Sequence, residues 1–304
     1  MYSSAKAPRI DVVTALDQGA RDYQEDSLVA DFPLGRDCGF AVLADGMGAH
    51  ASGDLASSLV VGRVFSLLKA NLALFEDKDA NVPETLRRCV EHANHALEIH
   101  VTNKPSDRGM GATLVIVLIL RGRLYWASVG DSPLYVLRNG ELAQLNEDHS
   151  MAPSIDAMVA AGQMSANVAA THPDRNVLTS AISGDQIARV DCPDAHYDLK
   201  DGDTILLSSD GLQSLSDADI LETLTAAGTW SSYETAAALL TSVTDLANPD
   251  QDNVSFMVAK YNAHAASDVG THRSQHSAQE ADVKSDDVEE LEEASEALLE
   301  AMSL

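Results

Sequence analysis

Hydrophobic positions recur along this chain in two rhythms, one close to 2 residues and one close to 3.6. Residues 10–16 read as a first strand, and 40–44 as a buried strand ending at Asp45. Leu55, Leu59, Val61, Phe65, Leu68 and Leu72 follow at helical spacing and predict a helix over about 53–75, capped by Ser52. A second helix is predicted after Pro83, with Leu86, Val90, Ala93 and Leu97 on one face. The middle of the chain then changes character. Apolar runs at 114–120, 124–129, 134–137 and 141–145 are separated by Arg121-Gly122-Arg123, Gly130-Asp131-Ser132-Pro133 and the type I′ signal Asn139-Gly140. This spacing predicts an antiparallel meander. Residues 146–185 are weakly patterned and rich in Ala, Met and Ser, as expected of a mobile, partly helical insertion. Strands are predicted at 204–207 and 254–259, and helices at 217–226 and 233–247 between them. Helices grouped between antiparallel stretches predict a layered α+β domain.

Composition narrows the function classes. A 45% hydrophobic fraction in 304 residues supports a substantial core. The formal charge of −27 argues against nucleic acid or an anionic membrane as the main partner. It is also awkward for an enzyme acting on phosphate, unless cations neutralise the site. Cys38, Cys89 and Cys192 are odd in number and widely separated, which argues against a disulfide framework or zinc ribbon and for a reducing, cytoplasmic setting. The first nine residues lack the apolar core of a signal peptide, and the run 114–120 is too short to span a bilayer. Residues 265–304 carry 11 Asp and Glu against 2 Lys and Arg, and are expected to form a disordered acidic tail. Leu291, Ala294, Leu298 and Leu299 leave a short docking helix there as the alternative. The expected organisation is an extension at 1–8, a domain at 9–261 and the tail at 262–304.

Four acid-bearing patches carry the candidate chemistry: residues 21–26 (Arg-Asp-Tyr-Gln-Glu-Asp), Asp45-Gly46, Asp210-Gly211 and Asp252-Asn253. In three of them a carboxylate ends an apolar run or directly precedes one, where a strand would deliver it to a shared rim. Gathered oxygen ligands suit magnesium or manganese better than zinc. Gly46 and its missing side chain would let a backbone carbonyl approach the same cation. Singly, each aspartate is an ordinary turn or cap residue. Asp131 sits in a tight Gly-Asp-Ser turn.

Taken in order with Gly111-Ala112-Thr113, residues 129–132 and Asn176-Val177-Leu178-Thr179, the patches resemble the metal-dependent serine/threonine protein phosphatases of the PPM or 2C type, from about residue 9 to 260. The resemblance implies a four-layer α-β-β-α sandwich of two antiparallel sheets flanked by helices. It implies that Asp45 bridges two Mg²⁺ or Mn²⁺ ions, with the Gly46 carbonyl on one and Asp210 and Asp252 on the other. Glu25 and Asp26 would bind metal or orient its waters, Asp131 would serve a third ion, and Arg21 would grip substrate phosphate. Residues 146–185 would be a flap beside the site. The implied reaction is direct hydrolysis of phosphoserine or phosphothreonine by a metal-bridging hydroxide, opposing a bacterial Ser/Thr kinase. The implied partners are phosphoproteins and a cognate kinase, for a monomeric protein.

Departures from the pattern matter. Gln24 stands where Asn is common, and Pro133 where an arginine often follows Gly-Asp-Ser. Met47 occupies the place of a histidine thought to protonate the leaving group in many eukaryotic members, so the acid is unassigned; His50 is the nearby alternative. His92 and His95 read as a solvated helix face, and His149 as part of the flap entry without a catalytic role. Two rivals remain: a pseudophosphatase that binds without turnover, and a sensor whose acidic tail docks a partner.

Overall fold

In the computed structural model, the residues described are 9–34, 36–48, 52–72, 75, 81–228 and 230–263. In chain order they form β1 (Ile10–Asp17), β2 (Asp26–Asp31), β3 (Cys38–Met47), α1 (Ser52–Asn71), α2 (Val82–Asn103), β4 (Gly111–Ala112), β5 (Leu114–Leu120), β6 (Arg123–Val129), β7 (Leu134–Arg138) and β8 (Glu141–Gln144). Then come α3 (Ala152–Ala160), α4 (Ala166–Ala170), β9 (Tyr197–Asp198), β10 (Thr204–Ser208), α5 (Asp217–Ala226), α6 (Ser232–Asp245) and β11 (Val254–Tyr261). The tail from residue 264 onward, with the helix considered there, lies outside the described residues.

The strands form two antiparallel sheets, one in the order β1-β11-β10-β7-β8 and the other β2-β3-β5-β6-β9, with β4 paired to β3. Helices α1 and α2 cover the second sheet, and α5 and α6 the first, giving the four-layer α-β-β-α sandwich. The alternation of side chains along each strand explains the layering. On β5, Leu114, Ile116, Leu118 and Leu120 pack towards α1 and α2, while Val115, Val117 and Ile119 face the other sheet. On β11, Met257 and Ala259 face between the sheets, while Phe256 and Val258 face α5 and α6. Both sheets are thus buried on both faces, which is why β5 is an unbroken aliphatic run.

Two expectations change. The runs from 114 to 145 are not one meander: β5 and β6 belong to one sheet, β7 and β8 to the other. The chain crosses between sheets at residues 130–133, where Ser208 N–H donates to the Pro133 carbonyl at 3.1 Å and draws β7 onto β10. Strand β3 does not end at Asp45 but continues to Met47, because Gly46 and Met47 pair with Ala112 and Gly111 of β4. The hairpin at Asn139-Gly140 has the positive φ values (53° and 81°) that a type I′ turn requires. Helix α2 starts as expected, with Asn81 accepting from the Glu84 N–H and Pro83 in its first turn. Helix α1 ends at Asn71 rather than 75 and buries Ala56, Val60, Val64 and Leu68, a stripe shifted from the expected one. Phe65 sits at that stripe's edge, 5.7 Å from Phe40 between ring centres.

Candidate metal and phosphate site

The apolar stripes between the two sheets turn polar at one end. On β3 the inter-sheet residues Ala41 and Leu43 are followed by Asp45; on β2, Leu28 and Ala30 are preceded by Asp26. On β10, Ile205 and Leu207 lead to Ser209, and on β11 Met257 and Ala259 are preceded by Ser255. Strand alternation alone therefore brings these polar groups to one rim.

Asp26 and Asp45 are direct cross-strand partners. Ser255 donates its hydroxyl to Asp26 Oδ2 at 2.7 Å, and Ser209 N–H is tied to the Ser255 carbonyl at 2.9 Å. Asp45 is fixed on its other side, where its N–H donates to Thr113 Oγ1 at 2.9 Å and its carbonyl accepts from Thr113 N–H at 2.8 Å. Thr113 Oγ1 in turn meets Ser132 Oγ at 2.8 Å, which links the strand to the turn bearing Asp131. Asp210, at the start of a 3-10 turn over Asp210–Ser214, accepts a hydrogen bond from the Asp45 carboxyl.

The carboxylates strain against one another. Burial first, then the charges of Asp26, Asp210 and Asp131, hold Asp45 well above the usual carboxylate range. Burial, opposed by hydrogen bonds from Ser255 and Ser209 but reinforced by Asp210 and Asp252, pushes Asp26 up to about 6. Burial, with Asp210 and Asp148 adding to it, pushes Asp131 up to about 7. Asp210 is raised by burial and by Asp252, an effect that Arg21 partly offsets. Arg21 itself donates to Asp252 Oδ2 at 2.6 Å. Like charges forced together lose energy that a divalent cation recovers, and every donor here is a hard oxygen, so the residues fit Mg²⁺ or Mn²⁺. Among the described residues, no group of three or more His, Cys, Asp and Glu side chains is placed to hold a metal ion by itself. Mg²⁺ is commonly held through one or two carboxylates and retained waters. Beside the cluster lies a cleft of about 440 Å³ lined by Asp131, Asp210, Asp252, Asp148 and Arg175 among others.

Gly46 and Glu25 take places different from a simple ligand pair. A Cβ on Gly46 would fall 2.0 Å from the Gly53 carbonyl oxygen and 2.5 Å from that of Glu25, so glycine is required where β3 passes the first turn of α1. The absent side chain thus has a packing reason in addition to the expected approach of the Gly46 carbonyl to a cation. That carbonyl and Glu25 Oε1 converge beside Gly53, at 2.8 and 2.4 Å from the point a Gly53 Cβ would occupy. His50 lies outside the described residues. His95 is exposed and meets Glu98 at 2.9 Å.

The protein phosphatase 2C profile matches residues 20–251, more than half of the chain. The chain belongs to the protein phosphatase 2C family. It is 32% identical over 174 residues to the serine/threonine phosphatase stp of Listeria monocytogenes, a match spanning 57% of this chain and 66% of that protein. It is 34% identical over 207 residues to the serine/threonine protein phosphatase PstP of Mycobacterium tuberculosis, covering 67% of this chain and 36% of PstP. The chain thus spans less than two thirds of the length of these relatives. The crystal structure of M. tuberculosis PstP/Ppp superposes with a TM-score of 0.68 at 31% identity, covering 83% of this chain and 99% of that one. A PstP catalytic domain solved with two manganese ions gives a TM-score of 0.67 at 28% identity, covering 83% and 98%.

In this phosphatase 2C family member, Gln24, His149 and Asn253 brace the carboxylates in ways that the motifs alone do not reveal. Asn253 Oδ1 accepts from Glu25 N–H at 2.8 Å, while its Nδ2 donates to the carbonyls of Gln18 and Tyr23 at 2.8 and 3.0 Å. One amide thereby pins the whole loop carrying Arg21. Gln24 braces the same loop, accepting from Asp26 N–H at 2.9 Å and donating to the Asp17 carbonyl at 3.1 Å. His149 is buried, and burial lowers its pKa; its Nδ1 accepts from Gly130 N–H at 3.2 Å and so supports the Asp131 turn. Its carbonyl accepts from Thr179 N–H at 2.7 Å, tying that turn to the 176–179 motif. Gln24 and Asn253 lie within the acid-bearing patches and His149 outside them, but the bracing role of none of the three has a sequence signal of its own.

Proposed function

We propose that this chain is a metal-dependent protein serine/threonine phosphatase, hydrolysing phosphoserine and phosphothreonine on proteins. The observation that carries the reading is the gathering of Asp26, Asp45, Asp131, Asp210 and Asp252 at one rim, with Arg21 beside them. Asp45, fixed at both N–H and carbonyl by Thr113, is suited to bridge two ions. The Gly46 carbonyl would complete one side, and Asp210 and Asp252 the other. Asp131 would hold a third ion, and Glu25 and Asp26 would orient bound waters. When bound, a pair of Mg²⁺ or Mn²⁺ ions supplies positive charge for the phosphate oxygens and an acidified water for direct hydrolysis.

Arg21 would turn its planar guanidinium from Asp252 to the substrate phosphate, orienting the ester for attack. The loop pinned by Asn253 sets the position from which it reaches. No cysteine takes part: burial pushes the Cys89 and Cys192 thiols up to about 11, so both are poor nucleophiles. The three buried cysteines, none in a disulfide, suit a cytoplasmic, reducing setting, and among the described residues no helix is long and apolar enough to cross a membrane. Phosphoproteins, a cognate kinase among them, are the proposed substrates of a monomeric enzyme.

The test is hydrolysis of a phosphothreonine peptide by the purified chain. Activity with added manganese that disappears on chelation supports the reading. Binding of the peptide with manganese present but no release of phosphate would favour the pseudophosphatase instead.

A further inference from the structure

Beyond the carboxylate rim, a second groove of about 490 Å³ opens along Met47, Glu98, Arg108, Met110 and residues 183–185. Its link to the site is β3, whose Met47 lines it two residues beyond Asp45. Asp45 and Met47 are two residues apart on one strand, so their side chains leave the same face about 7 Å apart. The Met47 side chain lies across Gly111, where a Cβ would fall 2.9 Å from both its Cε and the Ile182 carbonyl oxygen. A side chain at Gly111 would therefore displace Met47, and Arg108 stands three residues before Gly111 at the groove wall.

Arg108 shares with Arg63, Arg88 and Arg123 the lack of an ion pair among the described residues, and it lines this groove. With 47 acidic against 20 basic residues, a guanidinium here has many chances to find a carboxylate. Arg9, Arg21, Arg87, Arg138, Arg175 and Arg189 all do so. Arg108 is exposed, and among the described residues its side chain enters no ion pair or hydrogen bond, although Glu98 and Asp185 line the same groove. Nearby Asp107 cannot serve it, being engaged by His100 at 2.8 Å and Lys104 at 3.0 Å. A peptide anchored by its phosphate at the rim and extended at about 3.3 Å per residue would place its flanking residues over Met47 and into this groove within two to four positions.

We infer that this groove is a subsite for residues flanking the phosphorylated one, and that Arg108 selects an anionic side chain there, either a carboxylate or a second phosphate. The inference rests on the phosphatase reading above. A guanidinium can grip either anion with two parallel hydrogen bonds, and an exposed site limits the gain to about 1.5- to fivefold in kcat/KM.

The test uses one phosphothreonine peptide series with Ala, Asp, phosphoserine or Lys placed in turn at each position within four residues of the phosphothreonine. For each enzyme, the kcat/KM of each peptide is divided by that of its Ala counterpart. Wild type should favour Asp, phosphoserine or both at a definite position by about 1.5- to fivefold. Comparison of the Asp and phosphoserine arms tells which anion is read. Arg108→Ala should bring the ratio to near one, and Arg108→Glu should shift the preference to Lys at the same position. Ratios unchanged by both substitutions, or a wild type indifferent to flanking charge, would overturn the inference. Failure of wild type to hydrolyse any peptide or p-nitrophenyl phosphate would instead sink the phosphatase reading.

Discussion

Arg21 Nη2 donates to Asp252 Oδ2 at 2.6 Å, so the proposed phosphate clamp rests on a proposed metal ligand. The pair is largely exposed, which makes the contact weak and easily exchanged. Replacing Arg21 with Ala should therefore leave manganese affinity equal or slightly higher, since a competing cation is removed. Activity on a phosphothreonine peptide should fall by about a hundredfold in kcat/KM, mostly through KM. Calorimetry with manganese and steady-state kinetics check both halves; a large loss of metal binding would mean that Arg21 acts through the ligands.

Asn253 should matter through Arg21. Asn253→Ala removes the amide that holds the Gln18 and Tyr23 carbonyls and the Glu25 N–H. It is expected to lower kcat/KM by roughly tenfold, and to make a further Arg21→Ala change cost much less than it does in wild type. A double-mutant cycle on one phosphopeptide measures this coupling. Additive losses would show that the loop keeps its place without Asn253.

Thr113→Val tests how Asp45 is held. The change keeps the side-chain shape but leaves the Asp45 N–H without its acceptor, and should cost about 1–3 kcal/mol of stability. Chemical denaturation gives the cost, and manganese titration should show weaker binding. Unchanged stability and affinity would mean that another group takes over the N–H.

Metal and pH should be linked in a definite direction. Asp26 and Asp131 titrate at about 6 and about 7 in the folded chain, above the ordinary value of 3.8. Between about 4 and 7 the folded state therefore holds more protons than the unfolded one, and their contribution to stability falls as pH rises through that window. Divalent cations relieve the repulsion left at high pH. Manganese should raise the melting temperature more at pH 7.5 than at pH 5.5, and Asp131→Asn should raise the metal-free melting temperature at pH 7.5 but not at pH 4. Equal shifts at both pH values in a thermal-shift assay would contradict this.

Much of the layering was readable before the structure because strands buried on both faces leave an unbroken apolar run, as residues 114–120 do. Which sheet each strand joins was not. The alternation on β7 is the same whether it pairs with β6 or β10, and only the ladder it forms with β10, extended by the Ser208–Pro133 bond, decides. Strand β3 runs past Asp45 because its partner there, Gly111-Ala112, is two small residues with no apolar signature. Helix α1 buries Ala56 and Val60 rather than centring on Phe65, since small side chains let it approach the sheet closely. The acidic residues of the site stood out as motifs. Thr113 and Ser132 fell inside motifs, yet their bonds to Asp45 and to each other were not legible there, and Ser255 carries no pattern until its strand's facing direction is known.

The central claim is that Asp45 joins two ions at the reacting phosphate. The most direct measurement is kcat for a phosphothreonine peptide with saturating manganese, comparing wild type with Asp45→Asn, alongside calorimetric metal stoichiometry. Wild type should bind at least two ions and turn over, while the variant should lose at least about a thousandfold in kcat and bind fewer ions. A variant that keeps both its metal stoichiometry and its rate to within tenfold would contradict the account.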